Sequence, residues 1–279
     1  FLAGLYLLVP ASLRFILARI VQAALTGLLA SAAALFANQL GFSRKVCILS
    51  ALGISVYPIL LFYPIGLASE NLYVPLGMAS VLAIHRCSQS KSWRWVLLAA
   101  LFCGLTMLTR SIFAIAVLLA GLWLSRNALH RWKAGAIFLA VAFGICLPWS
   151  MRNSLLMHQP AFVENSAGYN LFIGYHPDGD GGFVSKIAIQ PMNILDDGER
   201  DRFCMQQALD FIRQDPLEAL RRVWTRLIKF IGPEDREFFF FYSNNLVGPI
   251  PQPWLTLVYS LLVIPWASVL LFGIGGLGS

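Results

Sequence analysis

The feature that most constrains this chain is a succession of apolar runs of helix length separated by short loops. Hydrophobic residues make up 58% of the sequence and charged residues 13%, whereas about a quarter of a soluble domain is usually charged. A hydrocarbon core of about 30 Å needs about 20 apolar residues per helix, and a backbone in lipid must satisfy its own hydrogen bonds. The pattern therefore predicts an all-α polytopic membrane protein, crossing the plasma or inner membrane several times.

Seven candidate spans follow from the apolar runs. They cover residues 15–40, 47–66, 71–85, 93–109, 111–125, 134–149 and 254–277. One long helix over residues 93–125 is the alternative to two of these spans, because neither glycine nor proline marks a turn near Arg110. Two spans are preferred, because a single helix would put two basic loops on opposite sides of the membrane. The predicted domains are a transmembrane bundle at residues 1–149, a loop domain at residues 150–253 and the start of a C-terminal transmembrane region at residues 254–279.

The short loops between the spans indicate the orientation. The loops at residues 41–46, 86–94 and 126–133 hold eight basic residues and no acidic one. By the positive-inside rule these loops are cytoplasmic, which places the loop domain, together with Glu70 and Arg110, on the extracytoplasmic side. The net charge of +7 is therefore a sign of topology, and we expect membrane lipids rather than nucleic acid as partners.

The ends of the sequence and its cysteines carry less information. The sequence starts at Phe1 and ends in an apolar run, so we expect it to be an internal piece of a longer protein. Its five cysteines show no CxxC spacing, and only Cys204 lies in the polar segment. They predict neither a disulfide framework nor a zinc site.

Two amphipathic helices are predicted in the loop domain, at residues 201–214 and from Pro216 onwards, where Asp215 is the expected N-cap. One face of the second helix is apolar, and the other face is basic. The basic residues are Arg221, Arg222, Arg226 and Lys229. Two interpretations of the basic face remain open: it lies against lipid headgroups, or it packs on its own domain. The aromatic run at residues 238–242 is interpreted as an interfacial belt.

Glu70 is the one acidic residue outside the loop domain. The span after it is predicted to have about 15 residues and a length of about 22 Å, so its outer end would lie below the membrane surface. A carboxylate held there needs a partner or a function. The alternative is an ordinary first-turn acid that the helix dipole favours.

Arg110 joins two short predicted spans on the same side as Glu70. A guanidinium facing outwards suits a lipid-linked phosphate, which it can bind as a bidentate fork; the alternative is an arginine that extends from a helix end to the membrane surface. Arg152 and Asn153 follow the apolar run that ends at Trp149. We expect Glu70, Arg110 and Arg152 to surround one cavity at the outer membrane interface.

The segment of residues 178–182, DGDGG, is similar to the start of a calcium loop, but the later ligand positions and the bidentate Glu are missing. A tight glycine turn is the preferred interpretation. His158 and His176 could join the two aspartates around a divalent metal, although nothing in the sequence fixes their distances. No other cofactor is predicted, because no phosphate-binding loop, dinucleotide fingerprint, nucleophile elbow or zinc-protease motif is present.

Five motifs in order carry a family resemblance. They are Ser69-Glu70, Leu108-Thr109-Arg110, Pro148-Trp149-x-x-Arg152-Asn153, Gly168-Tyr169-Asn170-Leu171-x-x-Gly174 and the Asp215-Pro216-Leu217 helix start. From about residue 14 to residue 230 the chain resembles bacterial membrane glycosyltransferases of the dolichyl-phosphate-mannose protein mannosyltransferase-like superfamily. These are enzymes of the GT-C fold, and the lipid A aminoarabinose transferase is one of them.

The resemblance implies an inverting transfer of a sugar from a polyprenyl-phosphate donor to a lipid, glycan or protein acceptor outside the membrane. It makes Glu70 the second acidic position of the family's site, and it makes Arg110, Arg152, Asn153 and Asn170 substrate-binding residues. Basic residues of such sites stabilise the departing phosphate, and a carboxylate accepts the proton of the acceptor hydroxyl. The family's principal acidic residue would lie before Phe1, and further membrane helices are expected after Ser279.

A non-enzymatic polysaccharide or lipid transporter, or a membrane assembly subunit, is the alternative. Such a protein would use the same cavity for binding alone. Transporters often carry inverted repeats and broken helices in corresponding halves, and the sequence shows neither feature.

Overall fold

The computed structural model describes residues 1–90, 92–127, 131–233, 238, 242 and 248–276. Every regular element in these ranges is a helix, which confirms the all-α prediction. The chain divides into two compact units. The first unit comprises Phe1–Ala142 and Pro233–Ser279, and the second comprises Phe143–Gly232.

The helices have the following bounds. They are α1 Leu2–Tyr6, α2 Arg14–Gln39, α3 Arg44–Ser55, α4 Pro58–Phe62, α5 Glu70–Gln89, α6 Trp93–Thr109, α7 Ala114–Asn127, α8 Arg131–Leu156, α9 Ala167–Tyr175, α10 Ser185–Ala188, α11 Asp197–Gln214, α12 Pro216–Ile231 and α13 Gln252–Gly276. Three short 3₁₀ helices lie at Ala11–Leu13, Ser111–Phe113 and Gln190–Asn193. Helix α8 continues from the first unit into the second.

Three helical segments of the described residues are long and apolar enough to cross a membrane. They are Ala11–Gln39, Trp132–Leu156 and Gln252–Gly276. Helices α6 and α7 are apolar but shorter. The three long segments coincide with three of the seven predicted spans. That these segments can cross a membrane is inferred from their length and composition.

The predicted span at residues 47–66 is wrong, because the structure breaks it. Helix α3 ends at Ser55, and α4 begins at Pro58. Proline lacks the backbone N–H that would continue the helix, and it disfavours the helical conformation of the residue before it. Tyr57 is accordingly extended, with φ −69° and ψ 114°.

Helix α5 is longer than the sequence predicted. It has 20 residues and continues past His85 to Gln89, which gives a length of about 30 Å. The prediction of a short span of about 15 residues after Glu70 is therefore wrong, and a recessed position of Glu70 no longer follows from helix length. The predicted break near Arg110 is confirmed, since α6 ends at Thr109 and Arg110 is extended, with φ −149° and ψ 114°.

Helix α5 is the centre of the first unit, where it packs against α2 and α6. The contact face of α6 consists of small and medium residues that are fully buried: Ala99, Ala100, Cys103 and Met107. The hydroxyls of Ser80 on α5 and Thr106 on α6 lie 3.3 Å apart in this contact, and both residues are fully buried. Small side chains let the two helices approach closely, as is usual for helices packed in lipid.

In the second unit, α9 packs across α11 around a core of Phe172, Ile173, Ile187, Ala188, Cys204 and Ala208. Gly168 makes the close approach possible, because a Cβ at this position would lie 2.1 Å from the carbonyl oxygen of Asp201. The Asp201 carboxylate accepts a hydrogen bond from the Tyr169 backbone N–H at 3.0 Å. Burial, followed by the charge of Asp201, raises the pKa of the Cys204 thiol to about 11, so this cysteine is a core residue.

Helices α7 and α8 meet at two glycines. A Cβ on Gly135 would lie 2.0 Å from Ser125 Oγ and 2.6 Å from the carbonyl oxygen of Gly121. A Cβ on Gly121 would lie 2.6 Å from Leu139 Cδ2. By contrast, a Cβ on Gly144, also on α8, would meet no atom within 4 Å.

We predict that Gly135→Ala lowers the thermal stability of the protein, because the added methyl group overpacks the contact at a cost of about 1–3 kcal/mol. The matched variant Gly144→Ala should leave stability unchanged or raise it, by up to about 1 kcal/mol from helix propensity. The thermal unfolding midpoints of both variants in detergent check this. Equal midpoints for the two variants would contradict the α7–α8 contact.

Candidate functional site

Glu70 is the first residue of α5. The turn before it is closed by a hydrogen bond from the Ala68 N–H to the Tyr63 carbonyl at 3.3 Å, and Leu67 adopts a left-handed conformation with φ +52°. Such a conformation costs a leucine about 1–3 kcal/mol and is found where the surrounding structure imposes it. The turn thus places Glu70 at the N-terminus of α5, where the helix dipole favours a negative charge.

Arg110 reaches this carboxylate from the break between α6 and α7. Its Nη2 group pairs with Glu70 Oε1, and its Nη2 and Nε groups also donate to Ser69 Oγ at 3.1 and 3.3 Å. The Ser69 hydroxyl in turn donates to Glu70 Oε2 at 3.2 Å. These three residues, called the Ser69–Glu70–Arg110 cluster below, join two of the residues that the sequence singled out.

Ser69 was missed as part of the site, although its position before the helix carries a signal. A serine at an N-cap usually accepts a hydrogen bond from the second or third backbone N–H of the helix. The Ser69 side chain makes no such bond. Its hydroxyl is used instead to connect the carboxylate with the guanidinium.

The guanidinium of Arg110 keeps donors for a ligand. Its side chain is 45% exposed, and its Nη1 group makes no hydrogen bond to any of the residues that the structure describes. The guanidinium carbon lies 5.9 Å from the centre of the Tyr73 ring, and that ring is packed edge to face against Phe113. Tyr73 therefore restricts one side of the guanidinium, and an anion could bind at the free edge.

A buried amide pair lies directly behind the cluster. Asn71, which is 3% exposed, donates from Nδ2 to Gln22 Oε1 at 3.1 Å and to the Ala68 carbonyl at 3.0 Å. Gln22 is 2% exposed. Among the described residues, Asn71 Oδ1 has no hydrogen-bond partner. The sequence analysis missed this pair, although a glutamine within the 26-residue apolar α2 was a signal.

An apolar cavity of about 880 Å³ lies within the first unit. Its walls come from α2, α3, α4, α5 and α13. Val74 and Met78 are wall residues, and they lie one and two turns after Glu70 on the same face of α5. Tyr63, whose carbonyl closes the turn before the cluster, is another wall residue. The wall of this cavity therefore begins one helical turn after Glu70, although Ser69, Glu70 and Arg110 themselves do not line it.

Arg152 and Asn153 form their own arrangement in the second unit. Arg152 donates to Asn153 Oδ1 at 2.9 Å, and its guanidinium carbon lies 4.8 Å from the centre of the Trp149 ring. Asn153 is 5% exposed and donates to the Val163 carbonyl at 2.8 Å, which also accepts from Trp149 Nε1 at 3.1 Å. Asn153 thus fastens the returning chain to α8. Glu70 belongs to the first unit and Arg152 to the second. A cavity shared by these two residues therefore stays a prediction.

Asn170 lies exposed on α9, and among the described residues its side chain donates only to Ser166 Oγ, at 3.4 Å. The glycines around it have a packing role. Gly168 contacts the backbone of α11, and a Cβ on Gly174 would lie 0.9 Å from Arg226 Nη2. The predicted binding role of Asn170 stays a prediction, while the glycines of this motif are explained by packing.

The DGDGG segment is a turn that basic residues of α12 hold. Arg222 donates to the carbonyls of His176 and Pro177 at 2.5 and 2.9 Å, and Arg226 donates to the Gly181 carbonyl at 3.0 Å. Gly181 has φ +81°, a conformation that glycine adopts at little cost. The interpretation as a tight glycine turn is confirmed.

Lys229 completes this contact. Its ammonium group lies 2.5 Å from Asp180 Oδ2, and together with the Gly182 N–H it lowers the pKa of the Asp180 carboxyl. Of the two interpretations of the basic face of α12, packing on its own domain is therefore confirmed for Arg222, Arg226 and Lys229. Arg221 remains 71% exposed.

Of the candidate metal ligands, only His176 and Asp178 are close together among the described residues, with 3.9 Å between His176 Nδ1 and Asp178 Oδ2. His176 is buried, and its Nδ1 accepts a hydrogen bond from the Asp178 N–H at 3.2 Å. His158 lies exposed just after α8 with φ +49°. Across the described part of the chain, no three His, Cys, Asp or Glu side chains are grouped so that they could hold a metal ion.

The aromatic run differs in part from its prediction. Phe238 is 4% exposed and packs edge to face on Phe62, with 5.8 Å between ring centres. For Phe238 the prediction of an interfacial position is wrong, because its ring is buried in the first unit. Residues 239–241 lie outside the described residues.

Comparisons of the chain with protein-family models, curated proteins and solved structures find no match.

We predict that Arg222→Ala destabilises the second unit, because it removes the donor to the Pro177 carbonyl and leaves the His176 carbonyl with the Gly179 N–H alone among the described residues. Removing one partner of such a contact costs about 1–3 kcal/mol. Arg221→Ala, one residue away on the exposed side, should cost about 0–1 kcal/mol. Limited proteolysis checks this: the Arg222 variant should be cut in residues 176–182 faster than the Arg221 variant, and equal rates would contradict the anchoring role.

Proposed function

We propose that the chain belongs to a membrane glycosyltransferase of the GT-C type, which transfers a sugar from a polyprenyl-phosphate donor to an acceptor on the extracytoplasmic side. The observation that carries the proposal is the Ser69–Glu70–Arg110 cluster, one helical turn from the wall of an apolar cavity. A phosphate-binding cation, a carboxylate and a lipid-compatible space are the three components that this chemistry needs at one place.

Arg110 is proposed to bind the phosphate of the donor. When the bond between the sugar C1 and the phosphate oxygen breaks, its electron pair goes to the phosphate, and the negative charge there grows. A guanidinium placed in advance stabilises that charge, and its planar fork matches two phosphate oxygens. The Nη1 group, which makes no hydrogen bond within the described part of the chain, and the 45% exposure of Arg110 leave room for this contact.

Glu70 is proposed to fix Arg110 and to bind hydroxyl groups. A carboxylate offers about four acceptor positions, and within the described residues Arg110 and Ser69 use one each. The positions that remain can accept from a hydroxyl of the sugar or of the acceptor. The family resemblance gives the main proton-accepting role to another acidic residue, so Glu70 assists.

The transfer then proceeds with inversion, as the resemblance implies. The acceptor oxygen attacks C1 from the face opposite the phosphate, the new glycosidic bond forms, and the acceptor proton passes to a carboxylate. Polyprenyl phosphate leaves along the apolar cavity. The 880 Å³ cavity and the three long apolar helices support a lipid-linked donor rather than a soluble nucleotide sugar.

We predict that, in the full-length protein, Glu70→Gln and Arg110→Ala each reduce sugar transfer at least about tenfold without loss of expression. The reason is that a charge-assisted contact contributes about 1.5–3 kcal/mol. Arg94→Ala, at the opposite end of α6 and exposed, is the matched control and should retain activity. Transfer of labelled sugar from a polyprenyl-phosphate donor measures all three.

Two outcomes of this assay decide between the candidates. Wild-type turnover by both variants would refute the assignment of the site. Binding of polyprenyl phosphate that depends on Arg110, in a full-length protein that never transfers sugar, would favour the transporter or assembly subunit instead.

A further inference from the structure

Helix α12 leaves a continuous apolar face uncovered. Eight large apolar residues on this helix of 16 residues are between 45% and 86% exposed. They are Leu217, Leu220, Val223, Trp224, Leu227, Ile228, Phe230 and Ile231. They recur at intervals of three and four residues, so they share one face of the helix. Few monomeric soluble domains expose an apolar surface of this extent.

The opposite face of α12 fixes the rotation of the helix. Arg222 is 7% exposed and Ala219 is 9% exposed, and Arg222 and Arg226 hold the carbonyls of the turn at residues 176–182. If α12 rolled to bury its apolar face in its own unit, these bonds would break and leave buried polar groups unpaired. The apolar face is therefore turned permanently away from the second unit.

The neighbouring segments indicate what covers this face. Along the chain, the second unit lies between α8 and α13, and both are long and apolar enough to cross a membrane. A unit joined at both ends to such segments stays within reach of the bilayer surface. A helix with a wide apolar face, a tryptophan within that face and cations beside it has the composition of helices that lie in the membrane interface.

We infer that α12 lies in the bilayer interface, with its apolar face among the acyl chains and headgroups. The buried Arg222 and the half-buried Arg226 face its own unit, while the exposed Arg221, at the edge of the apolar face, contacts lipid phosphates. This orientation differs from the one considered from the sequence, in which the basic face of the helix would lie against the lipid headgroups. The inference does not depend on the glycosyltransferase proposal.

Site-directed spin labelling tests this orientation. In the full chain with Cys47→Ser, single cysteines replace Leu220, Trp224 and Leu227, and a control cysteine replaces Arg213, which is 74% exposed on α11. The protein is placed in bilayers of phosphatidylethanolamine and phosphatidylglycerol. Labels on α12 should collide more with oxygen than with a water-soluble nickel complex, and the label at position 213 should show the reverse.

Two results would overturn the inference. Nickel access on α12 equal to that at position 213 would mean that the face lies in water. Immobile labels that exclude both reagents would mean that protein covers the face, either a second copy of this chain or another segment of it.

A second measurement needs no substitution. Phospholipids with a photoreactive acyl chain, activated in the same bilayers, should label peptides from residues 217–231 of the wild-type chain and leave those of α11 unlabelled. An absence of adducts in residues 217–231 would equally reject the interfacial position, even if a cysteine variant failed to fold.

Discussion

The contact between Glu70 and Arg110 is the interaction on which the proposed site depends. Each charge alone would be costly close to an apolar cavity, and each offsets the cost of the other. The pair joins the N-terminus of α5 to the break between α6 and α7, so it also fixes two backbone features. With Ser69 between them, the carboxylate and the guanidinium share a bonded arrangement in which Nη1 of Arg110 has no hydrogen-bond partner among the described residues.

The sequence predicted which residues are chemically unusual better than it predicted how they meet. Glu70 and Arg110 stand out because charges are rare in apolar runs, but they are 40 residues apart, and only the packing of α5 on α6 brings them into contact. Hydropathy also misplaced helix ends: Arg86–Gln89 is polar yet helical, while Pro58 breaks an apolar run. The amide pair of Gln22 and Asn71 was missed, because no local sequence pattern predicts that a side chain of α2 will bond to one of α5.

In the second unit, glycines of the segment 168–174, which contributes to the family resemblance, have a role in helix packing. Gly168 is needed because the α11 backbone occupies the space of a Cβ, whereas at Gly174 that space is taken by the end of the flexible Arg226 side chain. The basic face of α12, open to two interpretations in the sequence, is largely occupied by carbonyl groups of the glycine turn. The predicted binding residues of this unit that packing does not account for are Arg152, which lies exposed against Trp149, and the exposed Asn170. Packing within this unit also leaves the apolar face of α12 uncovered.

The central claim is that Arg110 contacts the phosphate of a polyprenyl-phosphate lipid. Solid-state NMR of the full-length protein in bilayers, with ¹⁵N-labelled arginine and bound polyprenyl phosphate, measures the dipolar dephasing between the phosphate ³¹P and guanidinium ¹⁵N nuclei. The account predicts dephasing in the wild-type protein and its loss in Arg110→Lys, which keeps the charge but has no guanidinium. Equal dephasing in both proteins would contradict the account, because another arginine would then hold the phosphate.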